Sequence, residues 1–191
     1  GALQTHVVAT VVKSISGKII TSATVGDIES NDPSLSKLIV DMANTGVDYV
    51  KVGLFDDYVN ESFIGVLNQA AKKNIKIILV IFAENYMTLS LQDYLLKSEI
   101  SGLMLDTKNK IGVNLLSLIK YEELGDFVRS AKKHGLITGL AGSLRYEDIS
   151  LLLDIEPDYL GFRGALCAEN DRVKSIEAKK ITQIRKAVTQ Q

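Results

Sequence analysis

The sequence predicts an α/β chain of repeated strand, loop and helix units, on three observations. Short runs rich in Val, Ile and Leu recur along it, stretches with helical spacing lie between the runs, and capping residues mark the joins.

The runs fall at 18–25 (KIITSATV), 47–54 (VDYVKVGL), 75–82 (IKIILVIF), 100–106 (ISGLMLD), 136–141 (LITGLA) and 158–164 (DYLGFRG). Continuous apolar runs of this length read as strands covered on both faces, hence as parallel strands. After the first run, Asp32 and Pro33 supply a cap and a first-turn proline for the helix PSLSKLIVDMAN, which Gly46 can close in a left-handed conformation. After the second, Phe63, Leu67, Ala70 and Ala71 share a helical face; Leu124, Phe127, Val128 and Ala131 do the same before the fifth. Two of these helices end in AAKKN and SAKKHG, with lysines at the negative end of the helix dipole. Asp171 and Arg172 mark the start of the last helix.

Six βα units suit either an open doubly wound sheet or part of an eight-stranded barrel. There is no G-x-G-x-x-G after the first strand and no G-x-x-x-x-G-K-[ST], and the missing nucleotide fingerprints of open sheets tilt the reading toward a barrel. Six strands leave such a barrel two short, so the chain is expected to begin after the first two. Residues 1–191 are otherwise read as one domain, without linker or low-complexity segment.

Composition narrows the partners. At 191 residues and 46% hydrophobic content the chain can bury a sizeable core. Acidic and basic side chains nearly cancel, 23 against 22, which points away from nucleic acid and from an anionic membrane and leaves small phosphorylated ligands open. Cys167 is the single cysteine, so no internal disulfide framework or multi-cysteine metal site is available, and a reducing, cytoplasmic setting fits. The longest apolar run falls far short of the ~20 residues that span a bilayer. Exposed barrel helices often pair, which leaves a homo-oligomer open.

In either architecture ligands bind at the C-terminal ends of the strands. Lys51 is the most informative residue there. An ammonium in the interior of an apolar strand loses hydration unless a carboxylate or bound anion replaces it, and burial favours the neutral amine that imine or general-base chemistry needs. A structural ion pair with Asp106 or another strand-end carboxylate is the plainer alternative. Asp106 itself ends the run GLML and is either a catalytic carboxylate or the cap of the following loop, while Lys110, four residues on, is either returned to the mouth or solvated. Gly142 and Ser143 (AGS) and Arg163 and Gly164 (FRGA) close the last two strands, where glycine lets backbone N–H groups approach a phosphate, although plain turns and an inward salt bridge would use the same residues. His6 and His134 read as surface residues and Cys167 as a packing residue; no His/Asp/Glu cluster has metal-ligand spacing.

Taken in order, SATVGD, DYVKVGL, LMLDTKNKIG, GLAGS and GFRGALCAENDR resemble the (5-formylfuran-3-yl)methyl phosphate synthase family of methanofuran biosynthesis, from Gly1 to the final helix. The resemblance implies a TIM (β/α)8-barrel lyase that condenses two molecules of glyceraldehyde 3-phosphate, with loss of water and one phosphate, through a lysine Schiff base and without a cofactor. It implies that Lys51 is the proton acceptor and that Asp106 and Lys110 form the LDT..K pair. It places the imine-forming lysine upstream of Gly1, with about 30 residues and two strands. Glu84 stands where the family usually has aspartate, Ile111 replaces the acid of KDG, and Val173 and Lys174 replace a glycine-bearing turn. Two other readings stay open: a different lysine-imine sugar-phosphate aldolase in which Lys51 itself forms the imine, and a non-enzymatic phosphate-binding barrel.

Overall fold

A computed structural model describes residues 2–15, 17–55, 59–86, 96, 98–109 and 113–189. Among them six parallel strands run in chain order along one sheet: β1 (Ser22–Thr24), β2 (Tyr49–Leu54), β3 (Ile77–Phe82), β4 (Gly102–Asp106), β5 (Ile137–Leu140) and β6 (Tyr159–Leu160). Each lies inside one of the apolar runs. The helices include α1 (Thr5–Ile15), α2 (Leu35–Ala43), α3 (Glu61–Ala71), α4 (Leu115–Leu118), α5 (Tyr121–Lys133), α6 (Ile149–Leu153) and α7 (Ala178–Thr189). The residues group into two units, Gly1–Leu103 and Met104–Gln191.

In the first unit β1 and β2 pair with Thr24 beside Lys51, and β2 and β3 pair from Val50 and Ile77 to Leu54 and Ile81. Period-two alternation puts Val50, Val52 and Leu54 on one face with Ile77, Leu79 and Ile81, and all six are almost wholly buried. α2 and α3 supply the cover with Leu35, Ile39 and Met42 and with Phe63, Leu67 and Ala70, each set repeating at three- and four-residue steps. The Asn60 carboxamide caps α3 by accepting from the Phe63 N–H at 2.8 Å. Asp32 accepts from the backbone and hydroxyl of Ser34 instead, so α2 starts at Leu35, two residues later than the proline suggests. Gly46 follows α2 with φ of +87°, as a left-handed closure requires.

In the second unit the Ala141 N–H donates to the Leu105 carbonyl and the Gly161 N–H to the Leu140 carbonyl, each at 2.8 Å. These bonds set Asp106, Ala141 and Gly161 side by side on consecutive strands. Leu124, Phe127, Val128 and Ala131 of α5 form the buried stripe expected from their spacing.

Two elements depart from the sequence reading. α1 is a further helix before the first strand, with Val8 as its buried residue. The last helix starts at Ala178 rather than at Asp171: the Asp171 carboxylate accepts from the nearby Val173 N–H, and Cys167 bridges Ile176 in antiparallel fashion, so the chain makes a short excursion before it can coil.

Candidate functional site

Lys51 is the one sequence-predicted site residue in the first unit. It lies on the face of β2 opposite Val50 and Val52, between Thr24 of β1 and Ile78 of β3, and is half-buried. Gly53 is next along that face, and a Cβ there would meet the Phe55 ring at 2.5 Å, so glycine is what lets Phe55 fold back over the strand. The Phe55 ring stacks obliquely on Phe82, centroids 4.7 Å apart. On that face Lys51 has Ile78 as its cross-strand neighbour, and the Phe55–Phe82 pair stands further along toward the C-terminal end.

The other candidates belong to the second unit. Asp106 ends β4, half-buried, and accepts from the Thr107 N–H at 2.7 Å. Thr107 abuts Gly142, where a Cβ would lie 2.6 Å from the threonine methyl and 3.0 Å from its nitrogen. Gly142 and Ser143 both have positive φ, +113° and +50°. This turn is tied to the start of α4, since the Leu115 N–H donates to the Gly142 carbonyl and the Asn114 amide to the Ser143 carbonyl and to Asp148. The structure thus brings Asp106 and Thr107 against Gly142, with Ser143 exposed beside them.

Arg163 and Gly164 close β6 in a separate turn. The Arg163 guanidinium donates to the Cys167 sulfur at 2.8 Å, and Gly164 leaves room for the Asn170 carbonyl, 3.0 Å from where a Cβ would stand. Cys167 is fully buried, in keeping with a packing role. Lys180 of α7 braces this turn by donating to the Cys167 carbonyl at 2.6 Å and to the Asn170 side chain at 3.0 Å. Its position on a distant helix gave no sequence signal. Lys110 lies outside the described residues.

Tyr159 is the residue that sequence reasoning passed over. It pairs with Gly139, and its ring occupies the space a Cβ at Gly139 would fill, with the hydroxyl 2.5 Å from that position. Burial first, then the negative charges of Asp158 and Asp106, hold the phenol well above its ordinary pKa, so it stays protonated. Only the pairing of a glycine and a tyrosine 20 residues apart could have signalled it.

Two cavities among the described residues are lined by none of the sequence-predicted site residues. One, of about 420 Å³, opens at the N-terminal ends of β2 and β3 among Asn44, Asp48, Lys73 and Lys76, the end of parallel strands that serves stability rather than catalysis. The other, about 110 Å³, lies among Arg145, Asn170 and Lys180. Among the described residues no group of three His, Cys, Asp or Glu side chains could hold a metal ion, and no helix is long and apolar enough to cross a membrane.

A family model described as 4-HFC-P synthase matches residues 1–185. The chain belongs to that family. A relative from Methylorubrum extorquens is 36% identical over 185 residues, 96% of this chain and 75% of its own length. The (5-formylfuran-3-yl)methyl phosphate synthase of Methanopyrus kandleri is 33% identical over 162 residues, 79% of this chain and 68% of its own. Family membership makes the protein one of an enzyme family. Solved structures extend the fold: phosphoribosyl anthranilate isomerase from Thermus thermophilus superposes with a TM-score of 0.61 at 10% identity, over 98% of this chain and 80% of its own. 3-Keto-L-gulonate-6-phosphate decarboxylase from Vibrio cholerae does so with 0.60 at 15% identity, over 97% and 79%. Both are TIM-barrel-like enzymes, and the six parallel strands and helices of this chain have the fold of an incomplete (β/α)8 barrel.

Proposed function

We propose that the protein is a (5-formylfuran-3-yl)methyl phosphate synthase of methanofuran biosynthesis, a lyase that condenses two molecules of glyceraldehyde 3-phosphate through a lysine imine, with loss of water and one phosphate. The names of its relatives support the product. The observation that carries the reading is Lys51, an amine on the half-buried face of β2 in a chain of this family. A lysine so placed, beside Ile78 with the Phe55–Phe82 pair further along, suits proton abstraction next to an imine carbon better than a solvated one would.

In this reading Lys51 accepts the proton and the imine forms on a different lysine. Asp106 and Lys110 handle the substrate's hydroxyl groups, and the Gly142–Ser143 and Arg163–Gly164 turns hold phosphate. Support for the first turn is its two successive residues of positive φ, a turn conformation of the kind that can present backbone N–H groups to an anion. The Arg163 guanidinium already donates to Cys167, which leaves its other N–H groups for an anion.

Borohydride trapping of the full-length protein with glyceraldehyde 3-phosphate, followed by peptide mass spectrometry, tests the assignment. The adduct is expected on a lysine other than Lys51. An adduct on Lys51 would favour a different lysine-imine sugar-phosphate aldolase, and no adduct at all would end the imine mechanism.

A further inference from the structure

Tyr159 and Asp106 occupy one face of the second unit, and the residues between them are small. β5 separates their strands, and on that face it carries Gly139 and Ala141. The Tyr159 ring crosses β5 above Gly139, which brings its hydroxyl from β6 toward β4. Asp106 stands one step further along β4, in the row that Ala141 and Gly161 complete. Gly161 is itself confined, since a Cβ there would lie 2.9 Å from that of Ala141 and 3.4 Å from the Met104 methyl. Among the described residues the phenol makes no hydrogen bond, and Asp106 acts on it through its charge.

A carboxylate only accepts hydrogen bonds and a protonated phenol can donate one. Set on one face and close enough for the charge of Asp106 to act on the phenol, they match a molecule that presents a hydroxyl and a carbonyl on adjacent carbons. We propose that Tyr159 contacts substrate, donating a hydrogen bond to the carbonyl or enolic oxygen of a hydroxy-carbonyl phosphate whose neighbouring hydroxyl group donates to Asp106. The contact rests on the synthase reading above and adds a residue to it. It strengthens as the oxygen gains negative charge when this molecule, the one of the two not held as the imine and so still a carbonyl compound, loses a proton from the adjacent carbon, so it acts on the rate more than on binding. No proton passes to or from the phenol, which burial keeps in its donor form.

The test is Tyr159→Phe in the full-length protein, assayed for furan aldehyde from glyceraldehyde 3-phosphate. Phenylalanine keeps the ring over Gly139 and removes only the hydroxyl. The expected result is a kcat about 100-fold lower, in the range seen when one donor to a developing oxyanion is removed, with KM changed by less than about threefold and the thermal midpoint unchanged. Gly139→Ala, which forces the ring off its glycine, is expected to lower kcat similarly while the midpoint falls. A Tyr159→Phe enzyme within about threefold of wild-type kcat overturns the inference, as does a loss of activity that merely tracks loss of folded protein. If the wild-type protein makes no furan aldehyde, the synthase reading falls and the inference with it.

Discussion

β2 and β6 begin with the same clamp. At the foot of β2 the Asp48 carboxylate accepts from the Thr21 N–H at 2.7 Å and from its hydroxyl at 2.8 Å, and the Asp48 N–H returns a bond to that hydroxyl at 3.1 Å. At the foot of β6 Asp158 does the same with Thr138, at 2.7, 2.7 and 3.2 Å. Each aspartate precedes a tyrosine, and three residues after it the strands part: β2 has Lys51 where β6 has Gly161. The shared foot fixes strand register in both units, a job the backbone can repeat with identical parts. What stands above it is individual, a half-buried amine beside Ile78 in one strand and a glycine confined by Ala141 and Met104 in the other.

Changing the residues that interrupt the pattern should have the largest effects. Lys51→Ala in the full-length protein is expected to lower turnover by about 10²- to 10⁴-fold, the usual contribution of a positioned proton acceptor, with little change in thermal midpoint; steady-state assay and calorimetry check both. Gly161→Ala should destabilise by about 1–3 kcal/mol, the cost of overpacking, because its methyl would press on Ala141 and Met104; chemical denaturation measures it. The clamps should respond more mildly. Thr138→Val is expected to cost about 1 kcal/mol as its two bonds to Asp158 are lost from a fully buried site. Thr21→Val should cost less, because Thr21 is only half-buried where Thr138 is fully buried, and water can replace its hydroxyl.

Acid should weaken the clamp at the foot of β2. The Thr21 backbone and hydroxyl bonds hold the Asp48 carboxyl below its ordinary pKa. A carboxylate depressed in the folded state adds stability above the unfolded value of about 3.9, and that stability is lost as pH falls through the folded value. Thermal midpoints between pH 2 and 6 should therefore fall less steeply for Asp48→Asn than for wild type. This is the smallest of the effects.

Much of this was legible in the sequence because it rests on local pattern. All six strands lie within apolar runs, since a parallel strand buried on both faces has little room for polar residues, and the stripes of α3 and α5 followed from their spacing. Gly142 also announced its turn, as few other residues tolerate its φ of +113° and its contact with Thr107. Tertiary relations were harder to read. Tyr159 looks like an ordinary strand tyrosine until Gly139 is placed beneath it, and Lys180 becomes a brace only when α7 reaches Cys167 and Asn170. Asp171 has the sequence of a helix cap and the bonding of a local turn, and the two are indistinguishable without the Cys167–Ile176 bridge.

The role of Lys51 as proton acceptor is tested most directly by isotope exchange. Full-length wild type and Lys51→Ala would be incubated with glyceraldehyde 3-phosphate in deuterated water, and deuterium at the carbon next to the carbonyl followed by NMR. Exchange is expected in the wild type and should fall at least about 100-fold in the variant, which should still yield a borohydride-trapped imine. A variant that exchanges at the wild-type rate would contradict the account.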